Sequence, residues 1–192
     1  MAKEIEIKFR ITDFKSVARA LKRAGFREVT CRTHEMNTLY DLPGQKLRKR
    51  GDLLRLRQYG ERWILTHKSK EQSGRHKVRV ERETQVESGE HMDSILLALG
   101  FTPTFRYEKY RAEWSDGKGH VVFDETPIGN FGEIEGAPRW IDRTARALGI
   151  NRYDYITQTY APMFFEWKRR AGSAATEMTF RAVKTTKRSK AK

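Results

Sequence analysis

The sequence predicts an α+β fold, a closed eight-stranded antiparallel β-barrel with helices packed against its outside. Three observations carry this. Several segments alternate strictly between apolar and polar residues, as in KEIEIKFRI at 3–11 and VRVERETQVE at 78–87, which is the period of a half-buried strand. The polar side of these segments is almost wholly ionic. The helical segments are too few to cover both faces of a sheet, and the strands lack the long apolar runs of a buried parallel sheet. Closure into a barrel resolves all three, because it leaves no exposed edge and gives the ionic faces a shared interior.

Taken in order, Ile5, Ile7, Phe9 and Ile11 fall on one side of the first strand, with Glu4, Glu6, Lys8 and Arg10 on the other. Asp13 is placed to cap a helix over 14–24, whose apolar positions Phe14, Val17, Ala18 and Leu21 keep helical spacing before Gly25 ends it. An extended stretch over 26–41 runs into the turn signal Tyr40-Asp41-Leu42-Pro43-Gly44. Strands at 53–59 and 62–68 form a hairpin about Gly60-Glu61, and 69–77 reads as a mobile basic loop before the strand at 78–87. A helix over 91–99 precedes strands at 105–114 and 119–125, joined by the turn Ser115-Asp116-Gly117-Lys118. A last strand at 131–135, a helix over 139–148 and a final helix over 156–168 complete the reading. There is an internal echo: a strand with paired acids leads to a helix ending Ala24-Gly25-Phe26, and again to one ending Leu99-Gly100-Phe101.

The chain carries a formal net charge of +14, and its position matters more than its size. Residues 168–192 hold nine bases against Glu177 alone, whereas residues 1–167 are only mildly basic. The domain is therefore expected to span 1–167, with 168–192 a disordered basic tail, and removal of residues 172–192 is expected to leave turnover intact. This distribution weakens a nucleic-acid role for the body of the protein. Cys31 is the single cysteine, so no intrachain disulfide can form. No apolar run of membrane-spanning length and no leader follow Met1, which points to a cytoplasmic protein with no membrane partner.

With the ionic faces inside, seven acids (Glu4, Glu6, Glu81, Glu83, Asp124, Glu133, Glu135) and seven bases (Lys8, Arg55, Arg57, Lys68, Arg79, Lys109, Arg111) line one cavity. Carboxylates suit hard divalent cations, and guanidinium forks match phosphate oxygens. Cross-strand salt bridging on a solvated face is the plainer reading of any one strand. It becomes poor when like charges recur two residues apart on strand after strand.

The ordered set Glu4-x-Glu6-x-Lys8, Tyr40-Asp41, Leu54-Arg55-Leu56-Arg57, Thr66-x-Lys68, Arg79-x-Glu81-x-Glu83, Lys109-x-Arg111, Asp124-Glu125-x-Pro127 and Gly129-x-Phe131-x-Glu133-Ile134-Glu135 resembles the CYTH superfamily, the triphosphate tunnel metalloenzymes. That group includes class IV adenylyl cyclases, thiamine triphosphatases and inorganic triphosphatases. The resemblance implies dependence on Mg²⁺ or Mn²⁺ and a linear triphosphate as substrate. By it, Glu4, Glu6, Asp124, Glu133 and Glu135 are metal ligands, and Glu81 and Glu83 serve a second metal or orient water. Lys8, Arg55, Arg57, Lys68, Arg79, Lys109 and Arg111 hold phosphates, with Lys8, Glu81 and Glu83 as the catalytic candidates.

Retention of both Glu133 and Glu135 favours hydrolysis over cyclisation within that group. Inorganic triphosphate, ATP and thiamine triphosphate are the substrate candidates, and the chain is expected to be a monomer or homodimer. A cyclase making cyclic AMP and a non-catalytic polyphosphate or nucleic-acid binder are the alternatives; the latter would use the tail and the loop at 67–77. Trp63, Trp114 and Tyr59 could stack on a base but fit core or surface packing better. Tyr40 fits either the tunnel mouth or the core. The five histidines show no metal spacing and read as surface residues.

Overall fold

In a computed structural model the protein is described over residues 2–72 and 75–188. Eight antiparallel strands, β1 (Ala2–Arg10), β2 (Arg27–Asp41), β3 (Leu53–Tyr59), β4 (Arg62–Lys68), β5 (Lys77–Val86), β6 (Thr102–Ser115), β7 (Gly119–Thr126) and β8 (Gly129–Gly136), close into a barrel in the order β1-β5-β4-β3-β2-β6-β7-β8. Among the described helices are α1 (Phe14–Arg23), α2 (Lys46–Arg50), α3 (Gly89–Ala98), α4 (Pro138–Ala147), α5 (Tyr160–Ala171) and α6 (Phe180–Arg188).

The alternation sorts as expected. Outward-facing Ile7, Phe9, Ile11, Trp114, Val121, Phe123 and Ile134 are buried beneath α1 and α4. Tyr40 and Leu56 pack with Leu96 of α3. Tyr40 thus belongs to the outer packing, and its hydroxyl donates to Asp93 rather than facing the barrel interior. Trp63 and Trp114 lie in these same two clusters, so neither is available to a ligand ring.

The internal echo is a pseudo-two-fold. Exchanging β1–β4 with β5–β8 turns the barrel order into itself read backwards, and β1 pairs with β5 as β2 pairs with β6. The two crossover helices are built alike. Asp13 and Ser88 each accept a hydrogen bond at the N-terminus, from Lys15 N and His91 N. At the C-termini, Phe26 N and Phe101 N return to Leu21 O and Leu96 O across Gly25 and Gly100, at φ 86° and 85°.

The third cluster departs from the expected plan. Phe105, Tyr107 and Phe131 are interior residues of β6 and β8, and they are covered by Tyr160, Met163 and Phe164 of α5. Helix α5 therefore closes one end of the barrel. The segment behind it is folded too, against the expectation of a disordered tail from 168. Strand β7 meets β6 only from Tyr110 onward, which leaves the edge of β6 open at 106–108. The chain fills that edge: Met178 N donates to Arg106 O and Glu108 N to Met178 O, each at 3.0 Å. Phe180 N, at the start of α6, donates to the Glu108 carboxylate at 2.6 Å. Ala175, Met178 and Val183 are buried in the α5 cluster. The sparse apolar residues of a basic, low-hydrophobicity stretch suffice because an unpaired strand edge receives them. Residues 189–192 of the expected tail lie outside the described residues.

Two smaller expectations change. His76, read as a surface histidine, is buried against α4 with its Nε2 3.0 Å from an Asp142 oxygen. The helix expected over 156–168 begins four residues later, at Tyr160, and is followed by α6.

Deleting 172–192 should lower the melting temperature by about 10 °C, the effect of losing roughly 3 kcal/mol of buried apolar side chains in a chain of this size. A thermal melt checks this; an unchanged midpoint would mean that the segment does not hold α5 in place.

Candidate active site

The barrel interior is a polar cavity of about 270 Å³. It gathers every residue selected from the sequence except Asp124, so the strands do turn their ionic sides toward one space. Lys77, Tyr107, Glu113 and Tyr160 join them. Eight bases and seven acids face the same volume, and their arrangement follows from register. Lys8 of β1 stands opposite Glu133 of β8, Glu6 opposite Glu135, Lys68 of β4 opposite Glu81 of β5, and Arg111 of β6 opposite Asp124 of β7.

At the α5 end the charges are locked together. Lys8 Nζ lies 2.6 Å from Glu133, whose other oxygen receives Arg111. Asp124 is fully buried below the cavity and accepts from Lys109 at 2.9 Å, from Arg111 at 2.8 and 2.7 Å, and from the Tyr160 hydroxyl at 2.6 Å. Its oxygens are thus committed to donors, and its place is that of a brace for Lys109 and Arg111 rather than of a cavity ligand. Against the cost of burial, Lys8, Arg111 and Lys109 hold Glu133 well below the usual carboxylate range. Burial opposes charge on Lys8 as well, but Glu133 and Glu6 raise it above an ordinary lysine. Lys8 therefore stays protonated and acts as a fixed positive charge, not as a proton donor.

Glu35 and Asn37 of β2 form a second buried brace that sequence reasoning missed. Glu35 is fully buried, accepts from Asn37 at 2.9 Å, and lies 3.5 Å from Lys109, 3.8 Å from Arg57 and 3.9 Å from Arg111. Burial raises its pKa, but Lys109, Arg111 and Arg57 bring it down to about 2. One Glu35 oxygen and the Nε atoms of Arg55, Arg57 and Arg79 are buried without a hydrogen-bond partner among the described residues. Arg55, Arg57 and Arg79 themselves line the cavity, and guanidinium groups match the oxygens of an anionic ligand.

The opposite end is richer in carboxylates. Lys68 holds Glu4 at 2.7 and 2.8 Å and lies 3.3 Å from Glu81, while Lys77 pairs with Glu6. Glu83 accepts from Thr66 at 2.9 Å and Arg57 at 3.0 Å. Glu135 has no hydrogen bond or ion pair among the described residues. Burial, with Glu4 and Glu6 beside it, pushes it up to about 7. Burial also raises Glu81, Lys68 opposing it while Glu4 and Glu83 add to it.

Among the described residues no three metal-binding side chains stand close enough to hold one cation as they are, because Lys68 and Lys77 occupy Glu4 and Glu6. The chemistry of the donors nonetheless fits a hard cation. Three carboxylates, Glu4, Glu6 and Glu135, crowd one region, where burial and the other two together push the third up to about 7 although Lys68 opposes them.

A closed antiparallel barrel with acids and bases lining its interior defines the class, a β-barrel protein with a charged central cavity. The chain belongs to the CYTH family, whose domain it matches over residues 2–160, and members of that family act on triphosphates. A Methanocaldococcus jannaschii protein named as a candidate adenylate cyclase is 27% identical over 168 residues, covering 82% of this chain and 95% of its own. A candidate adenylate cyclase from Vibrio parahaemolyticus superposes with a TM-score of 0.73 at 18% identity, covering 84% of this chain and 97% of the other. A Hippeastrum protein described as a candidate adenylyl cyclase with dominant triphosphatase activity gives a TM-score of 0.63 at 17% identity, covering 85% and 95%. No helix among the described residues is long and apolar enough to cross a membrane.

Glu135 yields a stability prediction with a definite sign. Its pKa in the fold, about 7, lies above the ordinary 4.5, so the folded protein binds this proton more tightly than the unfolded chain. Its contribution to stability is therefore lost as pH rises from about 4.5 through 7. Without added cation, Glu135→Gln should raise the melting temperature by about 5 °C at pH 8 and leave it unchanged at pH 4. An equal effect at both values would show that Glu135 is not crowded in the folded state.

Proposed function

We propose that the protein is a divalent-cation-dependent triphosphatase that hydrolyses the terminal phosphoryl group of a triphosphate-bearing substrate. The observation that supports this most is the enclosed interior itself. Its bases fit a linear chain of phosphates, and its carboxylates fit the cation that accompanies one. A surface that merely bound nucleic acid would not need seven acids among its phosphate contacts.

In this reading Arg55, Arg57, Lys68, Arg79, Lys109 and Arg111 grip the phosphates, the last two held in place by Asp124 and Glu35. Glu4, Glu6, Glu133 and Glu135 would hold Mg²⁺ or Mn²⁺, which would neutralise phosphate oxygens and make the bound water more acidic. Glu133 would contribute only by releasing Lys8 or Arg111. Water attacks the terminal phosphorus in line, and the bond from that phosphorus to the bridging oxygen breaks. The remaining diphosphate leaves with the electron pair, and the water proton passes to a carboxylate. Glu81, raised by burial, and its neighbour Glu83 are placed to orient that water and take the proton. Lys8, charged throughout, stabilises the negative charge that builds on the leaving oxygens.

Cyclisation is the second reading, favoured by the names of the Methanocaldococcus and Vibrio proteins above. There the ribose hydroxyl would attack the α-phosphorus with pyrophosphate leaving. Retention of both Glu133 and Glu135 supports hydrolysis instead, as does the activity stated for the Hippeastrum protein.

Incubation with Mg²⁺ or Mn²⁺ and ATP, inorganic triphosphate or thiamine triphosphate separates the two readings. Orthophosphate is the expected product; cyclic AMP with pyrophosphate would replace hydrolysis by cyclisation. Glu4→Gln should lower kcat by about 100-fold or more while phosphate binding persists. Full activity of this variant on all three substrates would sink the metal-site assignment. The rate should rise between pH 6 and 8 as the clustered carboxylates ionise, and an optimum below pH 6 would count against their role.

A further inference from the structure

Sorting charge between the inside and the outside of the barrel changes what the composition implies. Residues 1–167 hold 30 bases and 24 acids. The cavity takes eight of the bases and seven of the acids, and Asp124 and Glu35 lie buried behind them. Outside it, the same stretch is left with 22 bases against 15 acids. Much of that excess sits on two helices. Helix α1 exposes Lys15, Arg19, Lys22 and Arg23, and α4 exposes Arg139, Arg143 and Arg146. The two helices flank one surface groove of about 290 Å³, with Leu21 and Ala24 of α1 on one side and Trp140, Arg143 and Ala147 of α4 on the other. None of the seven bases makes an ion pair among the described residues.

A face that needed only to be wetted would not be built this way. Bases in a first turn oppose the helix dipole, and α1 and α4 carry Lys15 and Arg139 there with no acid. Like charges four residues apart repel, yet Lys15, Arg19 and Arg23 follow one another at that spacing, as do Arg139 and Arg143. The crossover position does not itself call for bases. Helix α3, the pseudo-symmetric counterpart of α1, carries Glu90 and Asp93 and neither lysine nor arginine. The acids of α1 and α4 and of the groove between them are engaged: Asp13 accepts from Lys15 N, Asp116 from Trp140 Nε1 and Lys118 N, each at 2.9 Å, and Asp142 faces Arg75 and His76.

The chemistry of the face narrows its partner. None of the exposed large apolar side chains lies on α1 or α4 among the described residues. Nothing there can enter a bilayer or stack on an unpaired base. What remains is ammonium and guanidinium groups in two rows, the complement of a repeating phosphate backbone. We propose that the α1/α4 face docks double-stranded nucleic acid through its phosphates, without regard to sequence, and holds the protein on the duplex while the barrel interior stays free for its own substrate. The rows border one groove, so together they can meet phosphates of both strands. The proposal stands apart from the triphosphate reading of the interior.

The test is fluorescence anisotropy of the full chain with a labelled duplex of about 20 base pairs, its ends 5′-hydroxyl so that no terminal phosphate can enter the barrel. Affinity should fall about 100-fold or more between roughly 50 and 200 mM salt, and duplexes of unrelated sequence should bind within about twofold of one another. Combining Arg19→Gln, Arg23→Gln, Arg143→Gln and Arg146→Gln should weaken binding about tenfold or more at roughly 100 mM salt and flatten the salt dependence. A control that removes equal charge elsewhere, Lys46→Gln, Lys49→Gln, Arg169→Gln and Lys184→Gln, should weaken it less than about threefold. All eight are exposed helix positions, where glutamine keeps helix propensity, and unchanged melting temperatures confirm that both variants fold. Equal losses in the two variants, or no binding by the wild-type chain, would overturn the assignment. So would tighter binding of a single strand of the same length than of the duplex. Vesicles of phosphatidylcholine and phosphatidylserine should not bind; capture of them that the α1/α4 variant abolishes would give the face to a membrane instead.

Discussion

Charge compensation inside a closed barrel is the constraint on which this structure rests. Fifteen ionisable side chains face one cavity, with Asp124 and Glu35 buried behind them. Removing that many charges from water is prohibitive unless each finds a partner. The strands meet the requirement by register, setting Lys8 against Glu133, Lys68 against Glu81 and Arg111 against Asp124. The outer layers then have a simple task, which is to cover the apolar faces left over. Compensation is incomplete at Glu135, which burial and the neighbouring Glu4 and Glu6 hold well above the ordinary carboxylate range.

The interior is organised by depth as well as by sign. Asp124 and Glu35 lie behind the bases that reach the cavity and hold them by geometry, accepting hydrogen bonds and close contacts from Lys109, Arg111 and Arg57. Tyr160 extends the same network into α5, donating to Asp124 while Lys8 stands 4.4 Å from its ring. The helix that closes the barrel is thereby tied to the charges that it covers. The segment returning to the open edge of β6 secures that helix from behind.

Much of this was legible in the sequence because strand alternation and charge spacing report the same two-residue period. The pattern in β1, β3, β5, β6 and β8 separates inside from outside almost residue by residue. Strand β2 was harder. Register shifts between Glu28 and Thr30 and between Thr30 and Thr33 break its alternation, so the Glu35-x-Asn37 pair did not stand out as interior. Lys77 was hidden by its neighbours, since it follows a polar loop and only its pairing opposite Glu6 shows that β5 has begun. Asp124 carried the right spacing for the cavity, but no pattern reports depth, and three donors draw it below the surface. The C-terminal segment was misread for a different reason. Its composition is that of a solvated tail, and its few apolar residues matter only because β6 outruns β7, a mismatch visible in three dimensions alone.

The pseudo-two-fold has a consequence for direction. Aligned by their matching helix caps, Glu4 of the first half corresponds to Arg79 of the second, and Lys8 to Glu83. A channel built from two identical halves would look the same from either entrance, and a thread of repeating anionic units could lie in it both ways round. Opposite signs at equivalent positions abolish that degeneracy. The two ends of the barrel are unlike, α5 covering one of them, so the interior has a head and a tail although its scaffold has neither.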